Sequence, residues 1–445
     1  MRMDDMIIVS VDDHVCEPPG FLDQHIDRKY HARLPKCNRD AAGKDIWVFP
    51  EGSVGLMNVA INAVVGRPRE ELGWEPNSYD QIRRGCIDPK ARVGDLSANG
   101  ILASVNFPNT FGFVLEAFQN LQDKQFALAL IRAYNDYHLD EWVAQYPTRF
   151  IPLSIVPLWD MQLAVQELKR TVAKGVKTVS FPSLPTQLGL PSIHDRYWKP
   201  LWDAIADEGL PLSVHIGGGG GSEHVSPDSP FGAWLNKVAL SSMTVASEWL
   251  WSSLPFDYPN LKVVLSEGGI GWLPYFLERA DLIQKNHPWL RKNWHGKRPS
   301  DVFREHFVSC FIQDIGGVEA RHEIGIDIIT FENDYPHADV TWPHTPEQLW
   351  NGEFKKGAVS DEDINKITYQ NALKIFDFDP FSKVAREECT VGALRAQAKD
   401  VDLTIVSRGG IPPSDDPYKV VTASDVIKQF SFAPIVPKVE AEKVS

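Results

Sequence analysis

The chain has 445 residues, 43% of them hydrophobic, which is enough for a large buried core; 45 basic against 59 acidic side chains leave a net charge of −14. That balance, with no run rich in Lys and Arg, argues against nucleic acid or an anionic membrane surface as a partner. Cys16, Cys37, Cys86, Cys310 and Cys389 have no CxxC spacing, the first apolar run is broken by Asp12, and no segment approaches a membrane span, so a soluble cytoplasmic enzyme with reduced thiols is expected.

Strands are predicted near residues 6–12, 101–106, 151–157, 177–182, 211–215, 261–266, 307–312 and 326–331. Helical spacing of apolar residues falls between most of them, over 122–146, 161–173, 197–207, 231–252, 272–284 and 361–376. Eight strands alternating with helices predict an α/β fold, a closed (β/α)8 TIM barrel over 1–378. Residues 20–98 are too long for a simple crossover and read as an insertion with a β-hairpin in 46–65, a candidate lid or substrate wall. Residues 379–445 read as a loop-rich C-terminal extension whose end, Pro437–Ser445, looks disordered.

The chemistry sits at strand ends. Val11-Asp-Asp-His-Val-Cys-Glu-Pro-Pro follows a β-branched run, and period-two alternation puts Asp12 and His14 on one face with Asp13 on the other. Three later runs also end in polar groups: Pro211-Leu-Ser-Val-His215, Leu261-Lys-Val-Val-Leu-Ser-Glu267, and Ile326-Asp-Ile-Ile-Thr-Phe-Glu-Asn-Asp334. Strand ends of a parallel barrel converge on one rim, so Asp12, His14, His215, Glu267 and Asp334 are the candidate metal ligands. Two histidines and up to three carboxylates suit Zn, Mn or Fe(II), as one ion or as two bridged by Glu267 or Asp334. With one ion, Glu267 becomes the acid or base, supported by His215 and Asp334. His337 is expected to orient Asp334 or bind substrate, and Glu332 to touch metal or bond the backbone. Arg279 is a candidate for a substrate carboxylate, with a structural ion pair as the alternative. Trp272 is placed beside it, and Trp342-Pro-His344 on the rim. Gly217–Gly221 reads as a mobile loop rather than a phosphate cradle, because neither a helix start nor a lysine follows; His224 is expected to face water.

These segments, with Gly189-Leu-Pro-Ser-Ile-His-Asp-Arg-Tyr-Trp, Ser266-Glu-Gly-Gly-Ile-Gly-Trp-Leu-Pro-Tyr-Phe-Leu-Glu-Arg-Ala-Asp281, Glu332-Asn-Asp-Tyr-Pro-His and Asn371-Ala-Leu-Lys-Ile-Phe, resemble the amidohydrolase-related family of the amidohydrolase superfamily. The resemblance covers about residues 6–378 and points to the branch containing aminocarboxymuconate-semialdehyde decarboxylase. It implies a metal-dependent barrel, often a homodimer, that hydrolyses, hydrates or decarboxylates small organic acids. By that resemblance Asp12 and His14 stand where His-x-His is commoner, and Glu267 stands where many decarboxylases have a proton-handling histidine. The chain is also similar to the carboxylate-rich branch containing the di-iron monooxygenase of platensimycin-type biosynthesis. The expected function is therefore metal-dependent cleavage of a small carboxylate substrate. The alternatives are a dimetal oxygenase of apolar acids or thioesters, and an inactive binding barrel.

Overall fold

A computed structural model describes residues 1–41, 43–48, 56–58, 60–109, 118, 121–217 and 225–430. Its framework is a ring of parallel strands: β1 (Val9–Val15), then, after the insertion strands β2 (Lys36–Arg39), β3 (Asp45–Val48) and β4 (Leu56–Asn58), β5 (Ala103–Pro108), β6 (Phe150–Ile151), β7 (Leu153–Ser154), β8 (Thr178–Pro182), β9 (Pro211–His215), β10 (Lys262–Ser266), β11 (Phe307–Phe311) and β12 (Ile329–Phe331). Pro152 lacks the N–H a ladder needs and divides one barrel strand into β6 and β7. Pairing runs β1-β5-β6 and β7-β8-β9-β10-β11-β12. The ring closes between β12 and β1 at their ends, where Asp334 N donates to Asp12 O at 2.8 Å and His14 N to Tyr335 O at 2.7 Å. The result is the expected eight-stranded (β/α)8 barrel, in which β9 is the fifth strand and lies opposite β1.

All residues of β1, β9 and β11 are buried, as in a parallel sheet covered on both faces. Helices supply the outer cover, and three of them start where a short acid caps them. Asp88 caps α1 (Pro89–Ala98), Asp123 caps α2 (Lys124–Asp136) and Asp160 caps α3 (Met161–Val172), each accepting from the first free backbone N–H groups. Next come α4 (Lys199–Glu208), α5 (Phe231–Val238), α6 (Ser241–Trp251) and α7 (Leu273–Asn286). The predicted single helix over 231–252 is thus two, parted just before Ser241-Ser242, residues that compete with the helical backbone for hydrogen bonds.

The insertion holds an antiparallel sheet, β2-β3-β4, rather than a lone hairpin. Its first strand, Lys36–Arg39, escaped notice because its side chains are exposed or half-exposed and carry no apolar alternation. Past β4, residues 60–65 turn instead of continuing as a strand, and pack on the rim: Val64 and Val65 N both donate to Pro336 O at 3.0 Å. The expected loop-rich C-terminal stretch also contains two helices, α8 (Val391–Gln397) and α9 (Ala423–Phe430). The first is docked by Val391 N on Met6 O at 2.8 Å and by the fork of Arg395 on Glu347 at 2.6 and 2.8 Å. Gly218–Gly221, His224 and Pro437–Ser445, for which a mobile loop, a water-facing side chain and a disordered end are expected, lie outside the described residues.

Candidate metal centre

A bulge builds the first part of the site. Between Ser10 and Asp13, β1 carries one residue more than β5 opposite, which re-aims the strand at its tip. Asp13 turns outward from the barrel axis to Ser10 Oγ (3.1 Å), Tyr335 N (3.2 Å) and, at 3.9 Å, Arg92. Asp12 and His14 turn inward together, and neither oxygen of the buried Asp12 carboxylate has a hydrogen-bond partner among the described residues. A buried carboxylate left this way is costly unless a charge meets it.

What it meets is histidine. His215, ending β9, brings its Nε2 to 3.1 Å from His14 Nε2 and 3.3 Å from Asp12 Oδ2. His14 Nε2 lies 3.5 Å from both Asp12 Oδ1 and Asp334 Oδ1. Donors that share one ion at about 2.1 Å stand roughly 3.0–3.4 Å apart, the spacing of this set. The tautomer of His215 fits as well. Its Nδ1 faces the Ile216 carbonyl, which can only accept, so Nδ1 carries the hydrogen and Nε2 presents a lone pair. Asp12, His14 and His215 form one close triad of metal-capable atoms, and His14, Asp334 and His337 a second that shares His14.

Glu267 and Asp334 reach the site from strained backbone: both are non-glycine residues at positive φ, 56° and 54°. Such strain persists only where the surroundings hold it. Glu332 helps hold it at Glu267. Fully buried, it accepts Glu267 N at 2.9 Å and Cys310 Sγ at 2.6 Å, and so works on the backbone of Glu267 and outside both triads. Trp272 braces the same turn, donating to Gly268 O at 2.9 Å and Gly269 O at 3.1 Å. The carboxylate of Glu267 lies 3.6 Å from His215 Nε2 and 3.8 Å from His337 Nδ1. His337 Nδ1 is 2.8 Å from Asp334, and its Nε2 is 2.8 Å from Asn109 Oδ1, so both ring nitrogens face oxygen acceptors.

Burial and mutual repulsion set the protonation of the cluster. Burial first, then Glu332, Glu267 and Asp334, pushes the Asp12 carboxyl well up; burial and Glu267 do the same to Asp334. Burial raises Glu332 to about 8. Burial also lowers His14 and His215, keeping them neutral. For Glu267, burial is outweighed by His215 and His337, which hold it below the ordinary glutamate value. The site thus gathers carboxylates around neutral imidazoles, a donor set that a divalent cation completes.

The structure brings together Asp12, His14, His215, Glu267, Asp334 and His337, with Glu332 and Trp272 behind them. Arg279 does not join. It sits on the exposed face of α7, because the helical period directs Phe276, Leu277 and Ala280 inward and leaves 278–279 outside. One residue the sequence reading passed over is Arg92, fully buried on α1. It donates to the His14 carbonyl, to Gly85 O at 2.7 Å and to Asn106 Oδ1 at 3.1 Å, with its guanidinium 4.1 Å from the Tyr335 ring centroid.

Comparison with known proteins agrees with the barrel fold. Residues 60–378 match the family model described as Amidohydrolase. The chain is 28% identical over 330 residues to gamma-resorcylate decarboxylase of Polaromonas sp. (strain JS666 / ATCC BAA-500), covering 69% of this chain and 93% of that protein. Among solved structures, an amidohydrolase of Mycobacterium avium subsp. paratuberculosis K-10 superposes with a TM-score of 0.62 at 21% identity, covering 83% of this chain and 99% of the other. A 5-carboxyvanillate decarboxylase mutant from Novosphingobium aromaticivorans, solved with bound manganese, gives a TM-score of 0.57 at 17% identity, covering 83% and 97%. These two structures share the fold.

Proposed function

The chain belongs to the amidohydrolase family, and from that premise we propose that it is a metal-dependent decarboxylase of a small aromatic acid, with Asp12, His14, His215 and Asp334 as the metal ligands and Glu267 as the proton donor. The observation that carries this reading is the buried Asp12 carboxylate, unpartnered and facing two imidazole nitrogens. Manganese is the ion we propose, since it accepts mixed imidazole and carboxylate donors and is bound by a structural relative. The relatives named as gamma-resorcylate decarboxylases direct the substrate proposal to hydroxybenzoic acids.

When bound, the cation supplies the positive charge that neutralises the rim carboxylates and attracts an anionic substrate. The remaining work falls to side chains. Decarboxylation replaces a ring-bound carboxylate by hydrogen: one proton arrives at the ring carbon, the carbon–carbon pair returns to the ring, and CO2 leaves. Glu267, buried yet held ionised by His215 and His337, sits with His337 and Asp334, and we assign it the relay that takes up a proton in this set and passes it to the ring carbon. His337, anchored by Asn109, orients Asp334. The fully buried Arg92, gripping the His14 carbonyl, fixes the strand tip that carries two ligands.

We further propose a homodimer and a cytoplasmic location. A homodimer would bury the exposed Tyr275, Leu282, Trp289 and Leu290 on and after α7, and light scattering checks it. A cytoplasmic location accords with the finding that, among the described residues, no helix is long and apolar enough to cross a membrane. The function is tested by following CO2 release from a panel of hydroxybenzoates, including gamma-resorcylate and 5-carboxyvanillate. Release that is lost when the metal is stripped, restored by manganese and abolished in Glu267→Gln supports the reading. Substrate-dependent oxygen uptake by an iron-loaded sample, without CO2 release, would replace it with the oxygenase.

A further inference from the structure

Residues 400–424 lie beyond the family match and are tied to the barrel at two places. At the first, Arg83 Nη2 donates to Asp402 O (2.7 Å), Val406 N to Gly66 O (3.1 Å) and Ile411 N to Glu75 O (3.1 Å). Gly410, at φ +136°, allows this approach: a Cβ there would meet Trp74 and Arg67 at 3.0 Å. At the second, Phe231 N donates to Val421 O (2.8 Å), Ala423 N to Ser229 O (2.9 Å) and Ser424 N to Pro227 O (2.9 Å).

Both anchors sit on loops that leave the same end of the barrel. The first is on the insertion that follows β1, and the second on the connection that follows β9, the strand opposite. The end they share is the rim carrying the cluster. The first anchor is also wired to that rim. Glu75 Oε2 accepts Asn62 N at 2.9 Å, and Asn62 Oδ1 accepts the backbone N–H of Ala338, next to His337, at 3.2 Å. The two anchors differ in firmness. The first rests on side chains packed into the insertion, including the buried Arg67, which donates to Trp74 O and Gln81 O. The second rests on the start of α5, which has no buried residue. Between them Pro412-Pro413 keeps the segment extended.

We propose that Val406–Thr422 is a strap across the mouth of the barrel that closes the chamber over the cluster, and that it parts from Ser229–Phe231 to admit a small acid and release product. The inference rests on the rim cluster being the metal site; it does not depend on which reaction occurs there.

A reversible lock tests it. Pro230 and Thr422 face each other as a bridge flanked, not joined, by hydrogen bonds, the pair type with Cα atoms about 4.5 Å apart and within disulfide reach. Full-length Pro230→Cys/Thr422→Cys is loaded with manganese, oxidised with oxidised glutathione, and challenged with dipicolinate while metal loss is followed. The strap predicts loss about tenfold slower than in the reduced form, restored by dithiothreitol, while the wild type does not respond. Gly410→Val, which crowds Trp74, predicts faster metal loss and a raised KM with an unchanged circular dichroism spectrum. Equal rates of metal loss in the oxidised, reduced and Gly410→Val proteins would overturn the strap. A response in metal loss without turnover of any hydroxybenzoate would uphold the strap and reject the decarboxylase.

Discussion

Glu167 and Asp12 are both fully buried acids, yet their surroundings differ in kind. Glu167, on α3, accepts from Arg170 at 2.7 and 2.9 Å, from Arg132 at 3.2 Å and from Asn135 at 2.7 Å. Both of its oxygens are met by cations the chain itself provides. Asp12 has no hydrogen bond to either oxygen and faces imidazoles that burial keeps neutral. The first arrangement closes its own charge balance and holds α2 to α3. The second leaves a deficit of positive charge, and this separates a binding centre from a structural ion pair when both are buried carboxylate clusters.

The comparison breaks most visibly through the ligands. His14→Ala or Asp334→Ala is expected to abolish both metal content and decarboxylation, whereas Glu167→Gln should leave metal content untouched. Glu267→Gln should keep the metal and lower kcat about 10²–10⁴-fold, the usual range for a lost proton donor. On stability the order reverses. Glu167→Ala strands Arg170 and Arg132 and is expected to cost about 3 kcal/mol in urea unfolding, the low end for a broken buried pair because both arginines are partly exposed. Asp12→Asn should instead raise the melting temperature of metal-free protein, since it removes a buried carboxyl that nothing answers. A fall on Asp12→Asn in the metal-free state would erase the distinction.

His138 sharpens the contrast at a smaller scale. It is buried on the turn of π-helix after α2, neither ring nitrogen has a partner among the described residues, and burial lowers its pKa to about 4. Between that value and 6.5 the unfolded chain binds a proton that the folded chain refuses. Stability is therefore full above pH 6.5 and declines as pH falls toward 4, by about 3 kcal/mol at most. His138→Phe should remove that part of the acid sensitivity in denaturation curves at pH 7 and pH 5, with the metal affinity unchanged. Trp272→Phe, which removes the N–H bracing Gly268 and Gly269, should cost about 1 kcal/mol and lower kcat modestly.

The strand tips were the legible part of this molecule. Asp12, His14, His215 and Asp334 each end a short apolar run, so periodicity and barrel logic together placed them on one rim. Other features have no local signature. Arg92 reaches the His14 carbonyl from a helix nearly eighty residues away in sequence, and nothing in α1 marks it as different from a surface arginine. Arg279 looked like a carboxylate clamp because it follows Glu267 closely, yet the phase of α7 turns it to solvent. Glu332 follows β12 two residues before Asp334, but its contacts with Glu267 N and Cys310 depend on register between β11 and β12 that sequence does not carry. The C-terminal strap is held largely by backbone hydrogen bonds, which leave no side-chain pattern in the sequence beyond Gly410.

The rim is short of positive charge that a divalent ion would supply. The most direct test is elemental analysis of protein purified without added metal, then removal of that metal with a chelator and manganese titration of the stripped protein with thermal unfolding as the readout. The account predicts about one ion per chain and, at a hundredfold excess over Kd, a stabilisation of about 2.7 kcal/mol that Asp12→Ala loses. Metal-free protein that decarboxylates at full rate, with a melting temperature indifferent to manganese, would contradict it.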